Sequence, residues 1–262
     1  PFLRWAGGKK WLVGTLEQMS AGYEFTGYIE PFLGGASVFL ALDPKNAILS
    51  DCNPELINTY KCVKDNPTLV FSYLSEFVNT EEDYYRVRSM KPDDLFIQAA
   101  RFIYLNQTSF NGLYRVNRKG AYNVPYGRRK KVEFSGANLV AASERLSNAK
   151  LSVCDFESAI MNVQKGNLVY LDPPYVVAKD ETGFIGYNQQ LFSLEDQKRL
   201  STCIDRIKEV GAYYVLSNAK HPIIYDIFDK DDRVIELARA SLIGGKKAYR
   251  RKTLEYLFTN LV

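Results

Sequence analysis

Leu168-Val169-Tyr170-Leu171-Asp172-Pro173-Pro174-Tyr175 is a short apolar run that stops on an acid and two prolines. Runs of four β-favouring residues like Leu168 to Leu171 form strands buried on both faces. Proline fixes φ and removes an N–H, so the segment after the strand offers a carboxylate and a carbonyl to one target without competing donors. Tyr175 adds a flat face suited to stacking. For this order of residues directly after a β-run, a proline turn that only ends a strand is the weaker reading.

Outward from this point the same rhythm recurs. Tyr28-Ile29-Glu30 leads into a glycine turn and a helical pattern from Ala36 to Leu42, and Ala47-Ile48-Leu49-Ser50 ends at Asp51. Leu151-Ser152-Val153 ends at Asp155, and Tyr213-Tyr214-Val215-Leu216 ends at Ser217-Asn218. Val234 to Leu237 and Leu254 to Phe258 complete the series. Short strands alternating with helices predict an α/β fold, with ligands at the carboxyl ends of its strands. The rhythm breaks from about Pro54 to Asn148. Helical patterns run there from Glu55 to Lys64, Leu69 to Phe77, Glu82 to Ser89 and Asp94 to Leu105. Leu113 to Val116 and Tyr122 to Val124, around Arg118-Lys119-Gly120, suggest a β-hairpin at about 112–126. The predicted division is a main domain of residues 1–54 and 149–262 around an insertion, 55–148.

Bulk properties set wide limits. The 262 residues are 46% hydrophobic, enough for a full core. A net charge of +4 permits a nucleic-acid partner without demanding one. The distribution says more: Arg101, Arg115, Arg118, Lys119, Arg128, Arg129, Lys130 and Lys131 share a span without a single acid. Such a block is usually a solvated face. With Phe110, Tyr114, Tyr122 and Tyr126 interleaved, it leans toward a surface for phosphates and bases. Cys52, Cys62, Cys154 and Cys203 lie far apart and read as buried, reduced thiols of a cytosolic protein. With His221 the only histidine, no metal site is expected. His221 precedes Pro222, has no nucleophile elbow to serve, and reads as a loop residue. No run is apolar enough to cross a bilayer, and no signal-peptide pattern opens the chain.

Two loops and one acid add chemistry. Glu30-Pro31-Phe32-Leu33-Gly34-Gly35-Ala36-Ser37 is either a ligand-approaching glycine loop or an ordinary turn. Asp51 ends the next strand, where an acid commonly binds ribose hydroxyls; capping the helix after Pro54 is an equal alternative. Phe2-Leu3-Arg4-Trp5-Ala6-Gly7-Gly8-Lys9 is a glycine loop with cations and an indole, fit for an anion or equally for no ligand.

Taken together and in this order, these motifs resemble the Dam-type site-specific DNA N6-adenine methyltransferases, the D12 class of the α-group. The resemblance spans essentially the whole chain. It includes Tyr104-Leu105-Asn106, Phe110 to Arg115, Tyr122 to Arg128, Phe192 to Gln197, Val215 to Asn218 and Arg250-Arg251-Lys252. It implies a Rossmann-like methyltransferase fold dependent on S-adenosyl-L-methionine, with a seven-stranded mixed sheet. The insertion becomes a helical DNA-recognition domain carrying a hairpin. The implied reaction moves the methyl group of S-adenosyl-L-methionine to adenine N6 in a short duplex site, with GATC preferred. Base flipping and direct in-line transfer are expected, because N6 is out of reach inside a duplex.

The resemblance also implies roles. Trp5, Ala6, Lys9, Glu30, Phe32 and Gly34 line the cofactor pocket, Asp51 holds the ribose, and Asp155 and Phe156 meet the cofactor's adenine. Asp172 and Pro173 hold the target amine, Pro174 completes the motif, Asp172 also borders the cofactor, and Tyr175 stacks on the flipped base. Arg115 reads a guanine edge. Phe110 wedges into the stack, Asn111, Leu113 and Pro125 touch neighbouring bases, and Arg128 binds phosphate. Arg4 stands where GATC-specific members carry a lysine toward the outer guanine. The implied enzyme is cytoplasmic, of bacterial or phage origin, and monomeric in solution, with room for more than one copy on DNA. Methylation of RNA adenine or of a protein glutamine, and a non-catalytic DNA-binding relative, are the alternatives; the basic insertion opposes the first two, and Asp51 with Asp172 to Tyr175 opposes the last.

Overall fold

Each of the seven β-runs in the α/β rhythm is a strand, while the two hairpin runs, Leu113 to Val116 and Tyr122 to Val124, are not. In the computed structural model, which describes residues 1–117, 119–175, 192–240 and 252–262, the strands are β1 (Gly27–Glu30), β2 (Ala47–Asp51), β3 (Lys150–Val153), β4 (Asn167–Leu171), β5 (Tyr213–Ala219), β6 (Arg233–Ala240) and β7 (Lys252–Thr259). Arg118, Arg250 and Arg251 lie outside the described residues. The strand order is β3-β2-β1-β4-β5-β7-β6, a seven-stranded sheet. It is mixed, since β1, β4 and β5 run parallel while β7 is antiparallel to β5 and β6. The described helices are α1 (Val13–Ser20), α2 (Phe39–Leu42), α3 (Pro54–Asp65), α4 (Pro67–Ser75), α5 (Glu81–Ser89), α6 (Leu95–Thr108), α7 (Gly136–Leu146), α8 (Phe156–Ile160), α9 (Leu194–Glu209) and α10 (Pro222–Phe228). None is long and apolar enough to cross a membrane.

The chain forms two compact units, Pro1–Gln18 with Leu33–Cys154, and Met19–Phe32 with Asp155–Val262. In the second, β4 is buried at every position because it has a strand on each side. The pairs Ile29↔Val169 and Leu171↔Leu216 bring the carboxyl ends of β1, β4 and β5 to one edge. Helix α9 starts on a capping box, in which Ser193 and Asp196 satisfy each other's backbone N–H, and it buries Leu200, Ile204 and Ile207. His221 is not a plain loop residue. Its Nδ1 accepts from Ile223 N at 3.2 Å, making it the cap of α10 with Pro222 in the first turn.

In the first unit β2 and β3 pair in parallel, and α3, α4, α6 and α7 pack around a core that includes Leu56, Tyr60, Tyr84 and Tyr104. Helix starts follow the chemistry of the residues before them: Asn53, Asn66, Thr80, Asp94 and Ser135 each accept from a first-turn N–H. Helix α2 begins only at Phe39, three residues later than its pattern suggests. Gly34 and Ala36 sit at φ +46° and +50°, which holds the chain in a turn until then.

The basic hairpin is present but irregular. Its pairing is reduced to isolated antiparallel bridges, Val116↔Tyr122 and Ser109↔Tyr126. Asn117 builds the tip: its Oδ1 accepts from Lys119 N at 2.9 Å and Ala121 N at 3.0 Å, and Gly120 takes φ +75°. Side chains replace the missing ladder. Tyr84 Oη and Arg88 Nη1 donate to Val124 O at 2.8 and 3.2 Å, and Tyr122 Oη to Leu113 O at 2.7 Å. The tyrosines of the basic span therefore turn inward, against the expectation that they face a ligand. Tyr122 is buried, Tyr114 donates to Glu55 Oε2 at 2.8 Å, and Tyr126 to Asn79 Oδ1 at 2.9 Å. The Tyr122 and Tyr126 hydroxyls satisfy the Leu113 and Asn79 carbonyls, which would otherwise lack a partner from a strand ladder. Phe110, with no hydroxyl to place, is the one left exposed, at 51%.

Candidate active site

In the second unit the site is built where β1, β4 and β5 end. Asp172 follows β4 and is half-buried; Pro173 is buried and Pro174 exposed. Tyr175 turns its hydroxyl inward, 2.7 Å from Ser217 Oγ on β5 and 2.8 Å from Glu255 Oε2 on β7. Glu30, at the end of β1, is buried and accepts from Tyr28 Oη at 2.7 Å. Burial, and then the nearby carboxylates, push the Tyr28, Tyr170 and Tyr175 phenols well above their ordinary range. These phenols therefore stay neutral, Tyr28 donating to Glu30 and Tyr175 to Glu255.

Beside this lies an aromatic group. Phe156 stacks on Phe32 with centroids 5.5 Å apart, and Phe192 meets both, at 5.5 and 5.6 Å. Asp155 caps α8 by accepting from Glu157 N at 2.9 Å. Arg199 lies 4.9 Å from the Phe156 ring and bonds Asp155, Glu157 and Asp196 at 3.2, 2.6 and 2.8 Å. Those carboxylates, Glu157 first, raise the Arg199 pKa further. Phe192 and Arg199 were given no role from sequence, since nothing local marks either as a neighbour of Phe156.

The first unit holds a second cluster. The Trp5 side chain lies against Gly34 and Gly35: a Cβ on Gly34 would meet the indole Nε1 at 2.8 Å and one on Gly35 would meet Trp5 Cβ at 2.8 Å. The indole stacks against Phe102 and Tyr114, at 6.4 and 6.1 Å. Asp51 accepts from Gly34 N and Asn53 N, each at 3.0 Å. Asn53, not Asp51, caps α3, so the capping alternative for Asp51 falls away. Burial raises the Asp51 pKa, and the Gly34 and Asn53 donors work against that shift. A partly desolvated carboxylate of this kind favours further hydroxyl donors. Lys9 is buried and donates to Gly7 O at 3.2 Å, while Ala6 is exposed. Tyr60 Oη donates to Gly34 O at 2.9 Å from a fully buried position. Tyr60→Phe leaves that carbonyl unpaired and is expected to cost about 1–3 kcal/mol, read as a lower Tm in thermal unfolding. An unchanged Tm would show that this bond does not hold the glycine turn.

Other residues of the first unit lie on or around the basic span. Asn106 joins the N-terminal loop to the turn after α6, accepting from Arg4 N at 2.7 Å and donating to Arg4 O at 2.6 Å and Gly112 O at 3.3 Å. Arg4 Nη1 is buried without a hydrogen-bond partner among the described residues, and burial and nearby Arg129 lower its pKa. Phe110, Asn111 and Leu113 are exposed on one turn, Asn111 at φ +56°. Arg115 is exposed and donates from Nε to Asn123 Oδ1 at 2.7 Å and from Nη2 to Asn123 O at 3.2 Å. Pro125 is exposed, and its carbonyl accepts from Phe110 N at 2.9 Å. Arg128 pairs with Glu81 at 3.3 Å in full solvent, a contact weak enough to exchange for a phosphate. Among the described residues no group of His, Cys, Asp or Glu is placed to hold a metal ion.

Known proteins carry the same pattern. Residues 5–242 match the family model of the D12 class N6 adenine-specific DNA methyltransferases. The type II methyltransferase M1.LlaDCHI of Lactococcus lactis subsp. cremoris is 35% identical, over 99% of this chain and 95% of its own. The type II methyltransferase M.MjaIII of Methanocaldococcus jannaschii is 38% identical over 84% of both chains. The DNA adenine methylase of Escherichia coli K12 is 34% identical over 83% of this chain and 80% of its own. With the tetrapeptide at the end of a central parallel strand and the match running through nearly the whole chain, this protein belongs to the D12 class N6 adenine-specific DNA methyltransferases.

Proposed function

We propose that the chain transfers the methyl group of S-adenosyl-L-methionine to N6 of an adenine flipped from a short duplex DNA site, GATC. The observation that carries the reading is Asp172 to Tyr175 at the edge where β1, β4 and β5 end. The adenine amine is a poor nucleophile because its lone pair is delocalised into the ring. The Asp172 carboxylate and the Pro173 carbonyl, accepting its two hydrogens, draw that lone pair back onto nitrogen. Pro173 and Pro174 supply no competing N–H. Tyr175 stacks on the extruded base. No covalent enzyme intermediate is required, and catalysis rests on positioning and hydrogen-bond polarisation.

The donor set fits the cofactor. Asp51 is a buried acceptor suited to ribose hydroxyls, and Phe32 and Phe156 offer aromatic surface beside Asp155 for its adenine. Trp5, Ala6, Lys9, Glu30, Gly34 and Asp172 complete the set. When bound, the cofactor supplies a methyl group activated on a sulfonium. The recognition domain is 55–148. In it Arg115 reads guanine, Phe110 enters the stack, Asn111, Leu113 and Pro125 touch bases, and Arg128 binds phosphate; Arg4 joins them from the N-terminal loop. The unpartnered Arg4 Nη1 is a donor that an incoming acceptor would satisfy.

Arg115→Ala is expected to cost about 1–3 kcal/mol on the cognate duplex and little on non-cognate DNA. Competition binding checks this, and uniform weakening on both duplexes counts against base reading. Mapping the modified adenines after methylation of plasmid DNA tests the whole proposal. N6-methyladenine confined to GATC supports it, and no N6-methyladenine overturns it. A second reading keeps the chemistry and changes the site. Arginine at position 4 favours it, as does similarity to type II methyltransferases, whose place would be in a restriction–modification pair. Modification confined to another short sequence selects that reading.

A further inference from the structure

Two buried residues with no part in the proposed chemistry hold the hydroxyl of Tyr175. Ser217 Oγ lies at 2.7 Å and Glu255 Oε2 at 2.8 Å. The direction of each bond follows from counting protons. The Glu255 oxygen accepts from the phenol, which has one proton to give. Tyr175 therefore donates to Glu255, and the short contact to Ser217 has the serine as donor. The direct approach of Ser217 to Glu255 is longer, 3.4 Å. The bonds run in one line, from Ser217 through Tyr175 to Glu255. Both anchors belong to an antiparallel ladder that includes Ser217↔Leu257 and Ala219↔Glu255, so neither moves without opening the sheet.

A ring that served only as a stacking face would not need this arrangement, since phenylalanine stacks as well. A phenol tied twice at its far end is different. It cannot swing without breaking both bonds, and because a phenol O–H prefers the plane of its ring the two bonds also resist rotation of that plane. Burying the Glu255 carboxylate is also costly, and the phenol offsets part of that cost at Oε2. The anchor is not legible locally, because Ser217 and Glu255 are separated from Tyr175 by 42 and 80 positions.

We infer that Ser217 and Glu255 are positioning residues that fix the plane of the Tyr175 ring before DNA arrives, so that the flipped base meets a preformed shelf. Preorganisation of this kind removes an ordering cost from binding. The inference rests on the reading that Tyr175 stacks on the target base.

The test compares Tyr175→Phe, Glu255→Leu, their combination, Glu255→Gln and Tyr175→Ala in the full chain, with a GATC duplex and S-adenosyl-L-methionine as substrates. Tyr175→Phe and Glu255→Leu are each expected to lower kcat/KM for DNA about tenfold, the size of one charge-assisted hydrogen bond, with KM for S-adenosyl-L-methionine unchanged. The combination should be no worse than the poorer single variant, because both remove the same bond. Glu255→Gln should recover most of the loss, since its amide oxygen still accepts from the phenol. If Glu255→Leu fails to fold, Ser217→Ala with and without Tyr175→Phe repeats the same cycle. Multiplying effects, a matching rise in KM for the cofactor, or no effect of Glu255→Leu and Ser217→Ala would overturn the proposal while a defective Tyr175→Ala keeps the stacking reading intact. Full activity of Tyr175→Ala overturns the stacking reading, and the proposal with it.

Discussion

Asp172→Ala is expected to lower the methylation rate by about a thousandfold or more while duplex DNA and S-adenosyl-L-methionine still bind. A thousandfold corresponds to about 4 kcal/mol of transition-state stabilisation. Two features make an effect of that size reasonable. Asp172 comes off a strand buried at every position and paired on both sides, so its backbone is held in place before any substrate arrives. It is also half-buried, beside the Tyr170 and Tyr175 phenols, which burial first and the Asp172 carboxylate second keep neutral. In such surroundings a hydrogen bond to the amine polarises more than it would in water. Asp172 does not need to take a proton first, because the amine becomes acidic only once methylated. The loss should therefore fall mainly on kcat, with KM for DNA little changed and KM for S-adenosyl-L-methionine raised only by the lost contact at the cofactor's edge. Single-turnover methyl incorporation, with separate titrations of DNA and cofactor, checks this. Turnover within about tenfold of the parent would remove Asp172 from the chemistry.

Gly127→Ala is expected to be the most damaging single methyl group in the recognition domain. A Cβ there would stand 2.5 Å from Ser109 O, 2.7 Å from Ser109 C and 2.9 Å from Thr108 O. All three are backbone atoms, so no side chain can swing away. The same glycine donates to Thr108 O at 2.8 Å, and the adjacent Tyr126 bridges Ser109. Relief of the clash must lift the returning segment off the end of α6. The cost is about 1–3 kcal/mol for overpacking and about 1 kcal/mol more for each backbone bond lost. Arg128 follows directly and Phe110 is hydrogen-bonded to Pro125 O, so the base-facing turn should shift with it. The expected result is a lower Tm together with weaker binding of cognate and non-cognate duplexes alike. That pattern separates it from Arg115→Ala, which acts on specificity. Parental Tm and DNA affinity in Gly127→Ala would mean that this close approach does not exist in solution.

Most of the architecture was legible because local patterns carry it. An apolar run such as Leu168 to Leu171 has one comfortable home, between two other strands. The helix starts were legible for the same reason, since Asn53-Pro54, Thr80 and Asp94 announce themselves by side-chain chemistry. Asp51 and Asn53 show where this stops. Both could cap a helix on spacing alone, and only the fold aims Asp51 at Gly34 N and leaves the cap to Asn53. The tyrosines of the basic span show it again. Their spacing suits an outward aromatic face, yet the Leu113 carbonyl, which no ladder satisfies, draws in the Tyr122 hydroxyl, and Glu55 and Asn79 hold those of Tyr114 and Tyr126.

The sequence by itself determined the α/β alternation, the strand-ending acids and the tetrapeptide, because each depends on residues within one or two turns of chain. Only the tertiary structure decided that β7 lies between β5 and β6, that Arg199 ties Phe156 to three carboxylates, and that Ser217 and Glu255 hold Tyr175. Those are contacts between distant segments. Their energy comes from desolvated polar groups that must find partners once the sheet has closed, and no local period records which partner that will be.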